Sequence, residues 1–114
     1  MTTGPTYAIE QGSLGASRLV TVSGEIDLAS AATLEEALAK EPSETVIADL
    51  SEVGFIDSTG LRSLLAARDT IESEGGRLLL VFEEGPVERI LQLTRLHDRF
   101  EIYRSADLAS EAVG

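Results

Sequence analysis

Two short, nearly continuous apolar segments, Thr45–Leu50 and Arg77–Phe82, constrain the fold of this chain more than any other feature of its sequence. Apolar segments of this length, bounded by turn residues, are typical of strands that are covered on both faces. Each of them is followed by a segment whose apolar residues recur at helical spacing. Strands that alternate with helices in this way predict an α/β domain with parallel strands, in which these two strands are central.

The remaining segments complete the order β-β-α-β-α-β-α-β-α. The first two strands, joined by a short loop through Gly12, Ser13 and Gly15, predict an antiparallel pair at one edge of the sheet. We therefore predict a single domain over residues 1–114, with a core at about 7–112, a mixed, mostly parallel sheet and four helices. The predicted strands are Tyr7–Gln11, Arg18–Ser23, Thr45–Leu50, Arg77–Phe82 and Phe100–Tyr103. The first predicted helix is capped by Thr33 or the better placed Ser30 and ended by Pro42, and the second runs from about Gly60 to Gly75-Gly76. The third begins at Pro86, and the fourth is capped by Ser105 and runs through Ala112.

Nine basic and twenty acidic side chains give the chain a net charge of −11. Nucleic acids and anionic membranes are therefore disfavoured as partners, because phosphate binding needs clustered Lys and Arg. The sequence has no cysteine and only one histidine, His97, so we expect no disulfide, no metal site and no cofactor. Residues Met1–Thr6 lack the features of a signal peptide, and the longest aliphatic or aromatic run, Leu78–Phe82, is too short to span a bilayer. We expect a soluble, cytoplasmic protein without membrane insertion.

Three polar loops follow predicted strands of the parallel sheet: Gly24–Ser30, Gly54–Gly60 and Glu83–Pro86. In open α/β sheets, functional sites form at the carboxyl ends of the parallel strands, where these loops lie. The Gly24–Ser30 loop is also a turn between a strand and a helix. The two glutamates of the third loop are interpreted as a solvated charged loop. The middle loop is the most informative of the three.

The middle loop carries Asp57-Ser58-Thr59-Gly60 at the start of a predicted helix. One interpretation is helix capping, in which Asp57 or Ser58 accepts hydrogen bonds from the first free N–H groups. The other is a phosphorylation site at Ser58, because phosphate would add negative charge near free N–H donors at a helix N-terminus. A partner packed against an unmodified Ser58 would not tolerate that charge, so phosphorylation would switch binding without unfolding the domain.

Several segments of the chain resemble the STAS-domain family of bacterial anti-sigma factor antagonists. The resemblance spans roughly Tyr7 to Ala112, and the Asp-Ser-Thr-Gly-Leu segment is its most specific part. The segments that carry it are Gly24–Ser30 followed by Leu34–Leu38, Val46–Leu61 with the acceptor-serine signature, Gly75-Gly76 before an apolar strand, and Val87–Leu96 leading to Phe100–Tyr103.

The resemblance implies a regulator of sigma factors in sporulation or stress response, and not an enzyme. In this family the unphosphorylated antagonist binds an anti-sigma factor that is also a GHKL-type, ATP-dependent serine kinase, and so releases a sigma factor. The kinase phosphorylates the serine that matches Ser58, binding ends, and a phosphatase resets the antagonist. Thr59 offers a second hydroxyl as an alternative acceptor, and Asp27 either contacts the partner or holds the backbone turn. The expected partner-binding residues are Asp27, Ser30, Phe55, Asp57, Ser58, Thr59 and Gly60.

Three alternative functions match parts of this sequence. A STAS domain can instead serve a transporter or a larger stress-signalling complex. A two-component receiver would use Asp49, near the end of a central strand, as its phospho-acceptor, but the acidic pair after the first strand and the lysine after the last are missing. A serine hydrolase is disfavoured because Ile56 stands where the G-x-S-x-G elbow needs its first glycine.

Overall fold

The structure of the chain is a computed structural model that describes residues 6–42 and 44–114. Five strands, four α-helices and a short 3-10 helix alternate in these residues. The elements are β1 (Tyr7–Leu14), β2 (Ser17–Ile26), α1 (Leu28–Leu38), β3 (Thr45–Ile56), α2 (Ser58–Ser73), β4 (Arg77–Val81), α3 (Pro86–Leu93), the 3-10 helix (His97–Arg99), β5 (Glu101–Tyr103) and α4 (Ala106–Val113).

The strands form one sheet in the order β1-β2-β3-β4-β5. β1 and β2 pair antiparallel, and the other three neighbouring pairs are parallel. This arrangement confirms the predicted α/β class, the mostly parallel sheet with one antiparallel pair, and the four helices. It also confirms the central position of β3.

Successive residues of β3 and β4 enter two separate hydrophobic clusters on opposite faces of the sheet. Val46 and Leu78 pack in the larger cluster, which includes residues of α1, α2 and α3. Ile47 and Leu79 pack in the smaller one, with Ala109 of α4. The apolar residues at successive positions of these strands are therefore explained by burial on both faces, as predicted.

Strand pairing extends three strands beyond their predicted ends. β1 continues through Gly12 and Ser13, and the hairpin turns instead at Gly15, which has φ 60°. β2 and β3 continue to Ile26 and Ile56, where they are still paired in parallel. The predictions that Gly12 and Ser13 form a loop, and that turns begin at Gly24 and Gly54, are therefore wrong, because ladder hydrogen bonds between strands override these local turn signals.

The predicted helix ends agree better with the structure. α2 ends at Ser73, and the N–H groups of Gly75 and Gly76 donate back to the carbonyls of Glu72 and Ile71, the hydrogen-bond pair of a Schellman motif. Pro86 is the first residue of α3, and the Ser105 hydroxyl caps α4. The 3-10 helix that contains His97 was not predicted. No helix of the described residues is long and apolar enough to cross a bilayer.

Candidate functional site

Two helices begin side by side at the carboxyl ends of two paired parallel strands. Ile26 at the end of β2 is opposite Ile56 at the end of β3, and each is followed by an aspartate that caps a helix, Asp27 for α1 and Asp57 for α2. The backbone N–H of Asp57 donates to the carbonyl of Ile26 at 3.2 Å, which joins the two turns directly. Residues from the first and second predicted loops are thus brought together.

The start of α1 is fixed by the side chains of Asp27 and Ser30, each of which accepts a hydrogen bond from a backbone N–H of this turn. The Asp27 carboxylate accepts from the N–H of Ala29 at 3.0 Å, while the Ser30 hydroxyl accepts from the N–H of Asp27 at 3.0 Å. That hydroxyl also donates to the carbonyl of Glu25 at 2.9 Å. The predicted cap at Ser30 or Thr33 is wrong: Asp27 is the N-cap, and Ser30 occupies the third helical position of a capping box.

The start of α2 depends on a single carboxylate oxygen of Asp57. It accepts from the N–H of Thr59 at 2.9 Å, from the N–H of Gly60 at 3.1 Å, and from the Thr59 hydroxyl. The hydrogen bond from that hydroxyl, assisted by the backbone donors and opposed by burial, holds the pKa of Asp57 below its ordinary value. Asp57 is therefore a charged cap at neutral pH, and of the two predicted caps it is the one that the structure contains.

The two hydroxyls that follow Asp57 have different environments. Ser58 is exposed at the first position of α2, and its hydroxyl makes no hydrogen bond to any described residue. Thr59 is half-buried, and its hydroxyl donates to the Asp57 carboxylate. Of the two candidate acceptors, Ser58 is the more exposed, and its hydroxyl is the one without a hydrogen bond to a described residue.

The electrostatic prediction for Ser58 concerns the N–H donors at the start of α2. We expected a phosphate on Ser58 to lie near free N–H donors, but the N–H groups of Thr59 and Gly60 already donate to Asp57. A phosphate at this position would also adjoin the charged Asp57 carboxylate. The N–H of Ser58 itself has no acceptor among the described residues and stays available as a donor.

Gly60 and Ser30 lie in the interior of the domain, beneath the turn that carries Ser58. A Cβ atom at Gly60 would lie 2.6 Å from the carbonyl oxygen of Ile26 and 2.9 Å from Cγ1 of Ile56, so only glycine lets α2 start this close to the ends of the strands. Gly60 is buried and Ser30 is fully buried. The expectation that these two residues contact a partner is therefore corrected: they hold the turns in place from the inside.

Large exposed apolar side chains lie along two grooves that are lined by residues next to the Asp57-Ser58 turn in the chain. Leu28 is 79% exposed and lies with Thr59 along a groove between α1 and α2. Phe55 and Leu93 are 48% and 78% exposed and lie along a second groove, between the end of β3 and α3. We call the exposed residues Leu28, Phe55, Ser58 and Leu93 the Ser58 surface. Phe55 is among the partner-binding residues predicted from the sequence, whereas Leu28 and Leu93 are not, because both stand on helices whose apolar residues are usually buried.

The third predicted loop does not join this site. β4 pairs with β3 only as far as Asp49, and β3 then continues for seven more residues, 50–56. Glu83 and Glu84 consequently lie beside the middle of β3, where they line a crevice with Leu50 and Val53. The loop remains an exposed acidic segment separate from Ser58.

A family model for the STAS domain matches residues 8–109, which is most of the chain. The chain belongs to the STAS domain family. The anti-sigma-F factor antagonist RsfB of Mycobacterium tuberculosis is 35% identical over 89 residues, covering 75% of this chain and 71% of that protein. An anti-sigma factor antagonist from Mycobacterium paratuberculosis has a crystal structure with a TM-score of 0.83 and 30% identity, and the match covers 98% of both chains.

A more distant structure supports the fold alone. The Bacillus cell fate determinant SpoIIAA in its phosphorylated form matches with a TM-score of 0.71 and 17% identity, over 94% of this chain and 100% of that one. These likenesses confirm the resemblance to the STAS family and its anti-sigma factor antagonists that the motifs indicated.

Asp49 has a structural role in this STAS domain. It lies inside β3, seven residues before the strand ends, and its carboxylate accepts from both the N–H and the hydroxyl of Ser51, at 3.0 and 2.6 Å. A receiver's acceptor would instead stand at the end of its strand, which is the position that the alternative interpretation assumed for Asp49.

Proposed function

We propose that this STAS domain is an anti-sigma factor antagonist, and that its Ser58 surface binds an anti-sigma factor while Ser58 carries a free hydroxyl. The observation that carries the proposal is the exposed Ser58 hydroxyl, without a hydrogen bond to a described residue, at the start of a capped helix whose neighbouring residues Thr59 and Ile56 line two grooves with exposed apolar side chains. The similar proteins that are named anti-sigma factor antagonists support it. On this proposal the chain acts in the cytoplasm by binding and catalyses no reaction itself.

Asp27, Phe55, Asp57 and Thr59 complete the proposed contact region. Phe55 supplies apolar area, while the two capping aspartates and the half-buried Thr59 keep Ser58 in one position. Exposed apolar side chains that are rimmed by polar groups are typical of protein-binding sites. The net charge of −11 favours a partner with a basic contact surface.

The proposed switch is phosphoryl transfer from ATP to Ser58 by the bound partner, a GHKL-type serine kinase. The Ser58 oxygen forms a bond to the γ-phosphorus, the bond from that phosphorus to the β,γ-bridging oxygen breaks, and the hydroxyl proton passes to a base of the kinase as ADP leaves. A phosphatase later transfers the phosphoryl group to water and restores the hydroxyl.

Phosphate at Ser58 weakens the complex through its charge, and this effect needs no change of fold. A desolvated like-charge or unpaired-charge contact typically costs about 2–5 kcal/mol, and each 1.4 kcal/mol is about tenfold in affinity. One phosphate would thus weaken binding by roughly 30-fold to several thousand-fold. The neighbouring Asp57 carboxylate adds to this effect, since it is charged and already satisfied by its own donors.

The test is to incubate the purified chain with ATP and candidate GHKL-type kinases, and to map any 80-Da mass increase, about that of one added HPO₃ group, by peptide sequencing. We expect phosphate on Ser58 in the wild type and in Thr59→Val, and none in Ser58→Ala. Modification at Thr59 in the wild type would refute the assignment of the acceptor. Tight binding to a transporter fragment, with no binding to any anti-sigma factor, would refute the function.

A further inference from the structure

Arg62 is an exposed cation one helical turn after Ser58, and it makes no ion pair or hydrogen bond with any described residue. Arg68, on the same helix, pairs with Asp69 and Glu72. Arg62 is also the basic residue of the groove between α1 and α2, where it lies with Leu28 and Thr59. Its charge is therefore left uncompensated next to the proposed phosphorylation site.

Helix geometry places Ser58 and Arg62 on the same face of α2. Residues four apart have Cβ atoms about 5–6 Å apart, and the anion–cation pair is more favourable when the anion stands on the N-terminal side. A phosphate has three acceptor oxygens, and a guanidinium can donate to two of them at once. The Ser58 hydroxyl is too short and is uncharged, so this pairing would arise only after phosphorylation.

We propose that Arg62 is the intramolecular partner of phosphorylated Ser58, an inference that rests on the proposed function. The pair holds the phosphate over the α1–α2 groove beside the exposed Leu28. A partner that covers this groove must then displace a hydrated ion pair as well as meet the added charge. Arg62 therefore directs the phosphate toward the apolar surface, where it blocks binding most effectively.

Four carboxylates in this region oppose or compete with the pair. Asp57 adjoins Ser58 on its own helix, and Asp27 and Glu25 stand at the neighbouring turn that is joined to it through Ile26. Glu35 of α1 lies along the same groove as Arg62 and competes for the guanidinium. These groups raise the second pKa of the phosphate, and Arg62 lowers it.

The test uses the full chain with phosphoserine incorporated at position 58 during translation, so that no kinase is needed. ³¹P NMR titration then gives the second pKa of the phosphate in the wild type, Arg62→Gln, Arg62→Lys and Arg99→Gln. Arg99→Gln is a charge-matched control, since Arg99 stands two residues before β5 and so lies at the amino-end edge of the parallel strands, opposite Ser58.

We expect Arg62→Gln to raise the phosphate pKa by about 0.3–0.6 units, given the strength of exposed helical ion pairs and of charge-assisted phosphate contacts. Arg62→Lys should keep part of the effect, and the effect should shrink in 1 M salt because screening weakens exposed ion pairs. The proposal is overturned if Arg62→Gln titrates like Arg99→Gln. Equal unfolding transitions of the unphosphorylated variants show that the fold is intact. If no kinase modifies Ser58, the proposed function fails while this titration still decides the role of Arg62.

Discussion

Replacing Gly60 with alanine tests whether close packing at the start of α2 holds the site together. The added Cβ would stand 2.6 Å from the carbonyl oxygen of Ile26, 2.7 Å from its Cγ2 and 2.9 Å from Cγ1 of Ile56. The first of these contacts is with backbone, so α2 must move away from the end of β2. That movement strains the hydrogen bond from the Asp57 N–H to the Ile26 carbonyl.

The magnitude follows from two opposing effects. Overpacking a tight site costs about 1–3 kcal/mol, and alanine recovers roughly 0.5–1 kcal/mol over glycine inside a helix. Because the clash involves backbone, we expect Gly60→Ala to lower the free energy of unfolding by about 1–2 kcal/mol. Urea denaturation followed by circular dichroism measures this difference.

Gly54→Ala is the matched control for this experiment. Gly54 lies six residues earlier, near the exposed end of β3, and a Cβ there would meet nothing within 4 Å. We expect this variant to be as stable as the wild type, or more stable by up to about 1 kcal/mol, because alanine restricts the unfolded chain. If Gly60→Ala is as stable as Gly54→Ala, the close approach of α2 to the strands does not constrain this position and the reasoning is wrong.

Substitutions at Asp57, Ser58 and Leu28 test the cap, the switch and the apolar surface. Asp57→Ala should lower the free energy of unfolding by about 1 kcal/mol at pH 7 through loss of the cap. The folded-state pKa of Asp57 lies below its ordinary value of 3.8. The difference in free energy of unfolding between the wild type and Asp57→Ala should therefore be complete above pH 3.8 and should vanish as the pH falls through the folded-state pKa. Acid titration of both proteins measures this dependence. Ser58→Asp should weaken binding to the cognate anti-sigma factor by about 10-fold or more. Ser58→Ala should bind this factor, but the complex should not be released when ATP is added. If calorimetry finds that the Asp variant binds as tightly as the wild type, the switch is contradicted. Leu28→Ala should weaken the same complex by roughly tenfold without changing the stability of the domain. Leu108 is 49% exposed on α4, on the other face of the sheet, and Leu108→Ala should not weaken the complex. Equal losses of affinity for both variants would exclude a specific role for the groove.

The sequence predicted the order of elements because periodicity and chain breakers act locally. The apolar segments of β3 and β4, the glycine pair after α2 and Pro86 at the start of α3 each carry a local physical reason that the fold preserves. Asp57 was also predicted as a possible cap, since an aspartate before a helical stripe offers an oxygen to free N–H groups.

The errors arise where tertiary structure decides. Gly24 and Gly54 look like turn residues, but continued pairing of β2 with β3 keeps both in strands. Ser30 looks like a cap because serine is common at that position, and its actual role at the third helical position depends on Asp27 three residues earlier. The exposure of Leu28 and Leu93 depends on which neighbouring elements cover each helix, and apolar spacing does not contain that information.

At the start of α2, neighbouring side chains point in different directions and have different roles. Asp57 and Gly60 stabilise the start of the helix within the domain, whereas Ser58 and, one turn later, Arg62 face outward. On the proposed function, substitutions on the outer side change which protein is recognised, or how strongly a phosphate affects binding, without disturbing how the chain folds. Related domains that share this turn could in this way diverge into separate, non-interfering signalling pairs within one cell.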